Sequence, residues 1–320
     1  MAKVVVTGRI PAAGLDMLRA APHDVWAWDG DEPISRPELL DAVRGADALV
    51  TLLTERVDGE LLDAAGSQLR SVSNVAVGYN NIDVPACRDR KVIATNTPGV
   101  LTDATADIAM SLILMGTRRL AEGERVIRSG EPWQWGMFYM LGSSIQGRQL
   151  GIVGLGQIGT ALARRAKAFG MTIAYTNRTQ VSPEIAAELD STRMDMCTLL
   201  TTSDVVSLHC PYSPATHHLI GADQLAAMRS SAWLINTARG PVVDEGALVD
   251  ALVKGEIAGA GLDVFENEPA VHPGLVGLDN AVLIPHLGSA TIETRTAMAA
   301  LAAKNALAVL RGEAPPTPIS

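Results

Sequence analysis

Short apolar runs alternate with amphipathic stretches from one end of the chain to the other. Apolar runs of this length, bounded by turn residues, read as buried strands, and the stretches between them read as crossover helices. The repeat is that of α/β structure with parallel sheets. In the first third, "KVVVTG", "DVWAWD", "ADALVTLL", "RSVSNVAVGY" and "VIATNTP" read as strands, with "GLDMLRAA", "PELLDAVRG" and "GELLDAAG" as helices between them. Together they form one small doubly wound unit ending near Pro98 and Gly99.

From Asp103 to Leu120, "DATADIAMSLILMGTRRL" opens on an acid, is apolar in the middle and carries two arginines in its last turn. That charge order suits the helix dipole and predicts one long helix leading into a second unit. The second unit starts with the strand at Gln149, continues through "TIAYTN", "DVVSLHC", "SAWLINTA", "GAGLDVF" and "AVLIPH", and ends near His286. The last helix, Ile292 to Leu310, has no strand after it and is expected to cross back to the first unit. Two Rossmann-like, doubly wound domains result: a discontinuous one, 1–98 with 287–320, and a continuous one, 99–286.

Composition narrows the function classes. A chain of 320 residues, 48% of them hydrophobic, can bury the cores of about two domains. Its longest apolar stretch, Ile108 to Met115, is far short of the roughly 20 residues that span a bilayer. No charged leader with an apolar core precedes the first strand, so no export is expected. Cys87, Cys197 and Cys210 lack the spacing of a zinc site or disulfide framework, which fits a reducing cytoplasm. The net charge of −9 opposes nucleic-acid binding. An anionic ligand would therefore need individual, well-placed cations.

"GLGQIG", Gly154 to Gly159, follows an apolar strand and opens the helix "TALARRAKAFG", with Gly170 in position to end it. On its own the pattern could be a glycine-rich turn. Between a strand and a helix it is a dinucleotide-binding loop, whose helix N-terminus attracts the pyrophosphate. The next strand should end in an acid for the ribose hydroxyls, yet Asn177, Arg178 and Thr179 stand there. An arginine offers a charge-assisted fork to a 2′-phosphate, and Asn and Thr add neutral donors, so NADPH is expected over NADH. The alternative is a solvated surface arginine.

The motifs "GLGQIG", "NTARGPVVDEGAL", "GAGLDVFENEP" and "PHLGSAT" occur in the order seen in D-isomer-specific 2-hydroxyacid dehydrogenases. The chain resembles that family over nearly its whole length, including "VAVGYNNID" and "NTPGVLTDATADIA", and within it most resembles glyoxylate/hydroxypyruvate reductases. The resemblance implies that Arg239, Glu268 and His286 are catalytic. Their chemistry agrees: imidazole can donate a proton near neutral pH, a carboxylate can fix its tautomer, and a guanidinium can grip a substrate carboxylate. Singly, each could instead be a structural or solvated residue.

The likeness further implies cofactor contacts from Thr105, Leu155, Gln157, Ile158, Cys210, Pro211, Thr216, Thr237, Ala238, Asp263 and Gly288, and from Arg239 and His286 themselves. Backbone N–H groups at Val77 and Gly78 are expected to meet the substrate carboxylate, although Gly78 could simply end a strand. Leu53 resembles a residue that closes over substrate, or it belongs to the core. Trp133, Trp135, Phe138 and Tyr139 form an aromatic cluster suited to an interface or to local core. In the related reductases a tryptophan here reaches into the partner subunit of a homodimer, which makes Trp135 a substrate contact.

The adjacent His217 and His218 lack further ligands at suitable spacing, so no metal is expected. Three alternatives stay open: another substrate on the same scaffold (3-phosphoglycerate, a larger 2-keto acid or phosphite), a preference for NADH, or a corepressor-like redox sensor.

Overall fold

The computed structural model describes residues 1–319. They divide into two compact units, Met1–Leu101 with the stretch from Ser289 onward, and Thr102–Gly288. The divisions fall at 101/102 and 288/289, against 98/99 and 286/287 expected from the sequence. The first coincides with the start of a helix, Thr102–Thr117. The second lies beyond His286 because the backbone N–H groups of Leu287 and Gly288 both donate to the Asp263 carboxylate, which ties that turn into the 102–288 unit.

The first unit is built on a parallel sheet of β1 (Lys3–Val6), β2 (Asp24–Ala27), β3 (Ala48–Thr51), β4 (Ser71–Asn74) and β5 (Ile93–Thr95), in the order β2-β1-β3-β4-β5. Alternate side chains serve opposite faces. Val4 and Val6 of β1, with Ala48 and Val50 of β3, pack under the helix Ile292–Leu310 through Ala302, Ala303, Ala306 and Leu307. Val5, Leu49 and Val72 face the other way, onto Leu61, Leu62 and Val43. The last helix therefore belongs to the first sheet. It is nucleated by Thr291, whose side chain accepts from the Thr294 N–H.

The second unit carries a seven-stranded parallel sheet: β6 (Gln149–Val153), β7 (Thr172–Thr176), β8 (Thr192–Arg193), β9 (Val205–Leu208), β10 (Trp233–Asn236), β11 (Gly259–Leu262) and β12 (Ala281–Leu283). Its order, β12-β11-β10-β9-β6-β7-β8, runs outward in both directions from the β6/β9 pair. Ligands of such sheets sit at the carboxyl ends of the strands around that reversal. Separate apolar clusters cover the two faces, one holding Leu234, Leu262 and Phe265, the other Leu112, Ile152 and Ile235. Burial on both faces explains why the strand sequences are continuously apolar.

The helix expected from Asp103 to Leu120 is broken. It ends at Thr117, Arg119 adopts a left-handed φ of 54°, and a second helix runs Leu120–Ser129. The left-handed residue interrupts the hydrogen-bond ladder, and the Thr117 carbonyl is taken by the Ser143 N–H at 2.7 Å. Arg118 and Arg119 thus lie past the helix end. The Arg119 guanidinium turns instead to Glu122, at 2.6 and 2.7 Å.

Candidate active site

The glycine loop follows β6 directly. Gly154 has φ +100°, and a side chain there would lie 2.7 Å from the Cys210 nitrogen, so only glycine fits the turn. A side chain on Gly159 would meet the Gly154 carbonyl at 2.6 Å, which fixes how closely the helix Gln157–Ala168 packs on its own loop. Gly156 differs: a Cβ added there meets nothing within 4 Å. It is the N-cap, with no side chain capping the helix, so first-turn N–H groups at Gln157 and Ile158 face open ground. Bare backbone, helix dipole and open space together fit a pyrophosphate. The buried Thr237 hydroxyl lacks a hydrogen-bond partner among the described residues, as a group awaiting a ligand would.

Asn177 is arranged differently from the expectation. Its side chain clasps the glycine loop, accepting from the Leu155 N–H at 2.6 Å and donating to the Leu155 carbonyl at 3.3 Å. The carboxamide therefore shapes the loop. Arg178 and Thr179 are exposed beyond it. Sequence reading missed Arg193, at the end of β8, which donates through Nη2 to the carbonyls of Asn177 (2.9 Å) and Arg178 (3.2 Å).

It also missed His209, whose Nε2 lies 2.8 Å from the Ser207 hydroxyl and whose pKa burial pushes down to about 4. Burial likewise raises the neighbouring Cys210 thiol. The Thr216 hydroxyl is spent within its own loop, on the Pro211 carbonyl (2.9 Å) and the Ser213 N–H (2.8 Å).

Arg239, Glu268 and His286 come from the segments that follow β10, β11 and β12, three neighbouring strands of one sheet. Asn236 aims the first of these segments: its side chain accepts from the Ala238 N–H (3.0 Å) and donates to the Arg239 carbonyl (2.9 Å). Gly240 lets the segment press on the next one, since a Cβ there would lie 1.9 Å from the Phe265 carbonyl carbon. The second segment is braced from outside by a His218–Glu266 hydrogen bond and by the Glu266 N–H on Glu245 (2.8 Å). Asp263 governs the third. Its carbonyl accepts from the His286 N–H at 2.9 Å, its carboxylate holds the next two N–H groups, and Thr105 donates to the Gly288 carbonyl at 3.1 Å. So restrained, His286 sits at a left-handed φ of 51°.

The Glu268 Oε2 lies 2.8 Å from His286 Nδ1, and Oε1 accepts from the Phe265 N–H at 3.0 Å. Burial works against the Glu268 charge, but the His286 bond and charge, the Phe265 N–H and Arg239 outweigh it, so the carboxyl lies below its ordinary pKa. Burial lowers the Arg239 pKa, with Glu268 opposing. The carboxyl of Asp263 goes the other way, raised by burial. His286 Nε2 has no partner among the described residues. One ring nitrogen is thus orienting and the other is free for chemistry.

In the first unit, Val77 and Gly78 follow β4, and their carbonyls are taken by the side chains of Asn96 (2.7 Å) and Asn74 (3.1 Å). Their N–H groups have no acceptor among the described residues. Leu53, after β3, is half-buried and outside the core. Its loop is held by Glu55, which accepts from Thr7 at 2.6 Å, and by Asn81, which donates to the Leu52 and Glu55 carbonyls. The aromatic segment is not core: Trp135 is 74% exposed and Phe138 89%, while Trp133 and Tyr139 stack on one another. The preceding helix, Leu120–Ser129, buries none of its residues.

Residues 110–288 match the model of the D-isomer specific 2-hydroxyacid dehydrogenase NAD-binding domain. The chain belongs to that dehydrogenase family. It is 50% identical to a glyoxylate reductase of Thermococcus onnurineus, over 98% of this chain and 95% of the other. Among solved structures it resembles a glyoxylate reductase from Paecilomyes thermophila, with a TM-score of 0.90 and 34% identity over 99% of this chain and 98% of that one. It also resembles an NADPH-dependent glyoxylate/hydroxypyruvate reductase from Sinorhizobium meliloti in complex with NADP and malonate, with a TM-score of 0.84 and 33% identity over 100% and 97%.

As a member of this dehydrogenase family the chain is an oxidoreductase, and the residues that match the family's NAD-binding domain lie within the 102–288 unit. No described helix is long and apolar enough to cross a membrane.

Proposed function

We propose that the chain is an NADPH-preferring reductase of small 2-keto acids, taking glyoxylate to glycolate and hydroxypyruvate to D-glycerate. What carries the reading is the His286–Glu268 pair at 2.8 Å, with Arg239 close enough to stabilise the same carboxylate. Arg239 binds the substrate carboxylate and polarises the keto oxygen at C2. A reduced nicotinamide held at the glycine loop would supply the hydride for C2. His286 gives the proton from Nε2 to the C2 oxygen, so the carbonyl becomes a hydroxyl. Glu268 stabilises the protonated ring before transfer and holds its tautomer afterwards.

Other residues bind and shape. The unpartnered amides of Val77 and Gly78 are donors for the substrate carboxylate, and Leu53 supplies apolar cover. Arg178, standing where an acid would serve NADH, favours the 2′-phosphate. A second copy of the chain covers the exposed apolar surface of 120–141, making a homodimer in which Trp135 reaches the partner's substrate. Three free cysteines suit a reducing cytoplasm.

The test is a steady-state panel of glyoxylate, hydroxypyruvate, pyruvate and phenylpyruvate, each with NADPH and NADH. The highest kcat/KM is expected for the two small acids with NADPH. Preference for phenylpyruvate, or for NADH throughout, would overturn the substrate or cofactor assignment respectively.

A further inference from the structure

The arginines of the 102–288 unit are mostly neutralised. Arg148 and Arg229 share Asp204, Arg164 pairs with Glu188, and Arg165 takes both Asp103 and Asp107. Arg178 and Arg193 are exceptions: among the described residues neither has a carboxylate within ion-pair reach. No acid occurs from Asn177 to Pro183, and the Asp195 carboxylate, two residues past Arg193, is committed to the N–H and hydroxyl of Thr198. Two cations beside one turn, one on it and one on the adjacent strand, unbalanced in a chain of net charge −9, mark ground prepared for an anion.

The local structure explains how Arg193 comes to be there. Strand β8 is only two residues long, both exposed, so apolar burial does not account for it. Its pairing sets Arg193 opposite Tyr175 of β7, just before the turn that carries Arg178. A cation serving only to discourage edge pairing would extend into solvent. This one bends back, and its Nη2 bonds the carbonyls of Asn177 and Arg178. Two bonds fix the guanidinium at the rim of the turn and leave about three of its five N–H donors open.

We propose that Arg193 is a second specificity-determining residue for the cofactor, forming with Arg178 a two-guanidinium clamp on a phosphomonoester at the adenosine 2′ position. The inference rests on the NADPH reading and adds to it a residue from a separate strand. Arg193 both braces the turn and contacts the phosphate. Arg178 supplies the second face.

The experiment is calorimetric titration of the protein with 2′,5′-ADP and with 5′-AMP, which differ only in that phosphate and require no turnover. The wild-type protein is expected to bind 2′,5′-ADP roughly 10- to 100-fold more tightly, as one or two charge-assisted bonds give. Arg193→Gln, an exposed change, should weaken 2′,5′-ADP about tenfold and leave 5′-AMP within about twofold. With Arg178→Gln added, the two ligands should bind alike. Equal loss for both ligands in Arg193→Gln would mean the residue only braces the turn, and no loss would mean it does nothing; either overturns the proposal. A wild-type protein without preference would remove the NADPH reading itself, and the clamp with it.

Discussion

Replacing Glu268 by Gln keeps the shape of the side chain and removes its charge. In the wild-type protein the carboxylate receives His286 Nδ1 at 2.8 Å and the Phe265 N–H at 3.0 Å. A carboxamide must turn its oxygen to one of them and its own N–H groups to the other. A charge-assisted bond contributes roughly 1.5–3 kcal/mol and a neutral one roughly 0.5–1.5, a difference of about 1–2 kcal/mol. Both side chains are about a third exposed, at 34% and 35%, so screening favours the lower end. That is roughly a fivefold loss of support for the protonated ring.

For keto-acid reduction the variant should therefore lose about fivefold in kcat at neutral pH, and its turnover should fall away at lower pH than that of the wild-type protein. The KM for NADPH should hold. The assay is kcat against pH from acid to alkaline conditions for both proteins. Superimposable profiles would refute the idea that Glu268 supports the proton donor.

The other expectations concern distinct parts of the molecule. Gly156→Ala should melt like the wild-type protein, since its Cβ enters open space, yet bind cofactor more than about tenfold less tightly. Gly154→Ala should instead lose about 1–3 kcal/mol of stability by urea titration, because its φ is +100° and its Cβ meets backbone. Equal behaviour of the two would contradict the division of labour in the loop. His209 titrates near 4 when folded, against 6.5 ordinarily, so the unfolded chain takes up its proton first. Stability should fall as pH drops through that window, by up to about 3 kcal/mol, and His209→Gln should flatten that part of the curve. Ile127→Asp, on the helix that buries nothing, should shift sedimentation from dimer to monomer. A variant that sediments unchanged would move the interface elsewhere.

Strong periodic signals made most of the fold legible. The helix Ile292–Leu310 could be read to its ends because Thr291 caps it and alanines recur through its length, and the strands could be read because both faces are buried. Strand β8 gave no signal, being two exposed residues paired at a sheet edge. The break at Arg119 was equally silent, since an arginine in the left-handed region looks like any helix-end arginine.

At the site, motifs singled out Arg239, Glu268 and His286 as candidates, but not what aims them. Asn236 and Asp263 act through bonds to backbone atoms that only the fold brings near. The same holds for Asn177, whose carboxamide closes on Leu155, and for Arg193, remote in sequence from the turn it grips. The aromatic segment was ambiguous in sequence because interface and core share one composition. Its exposure within the single chain removes the second option.

The central claim, that His286 delivers the proton, meets its most direct test in single-turnover reduction of glyoxylate by His286→Asn with NADPH already bound. The account predicts unchanged NADPH affinity and a rate lower by roughly 100- to 10,000-fold. A rate within a few-fold of the wild-type value would contradict it.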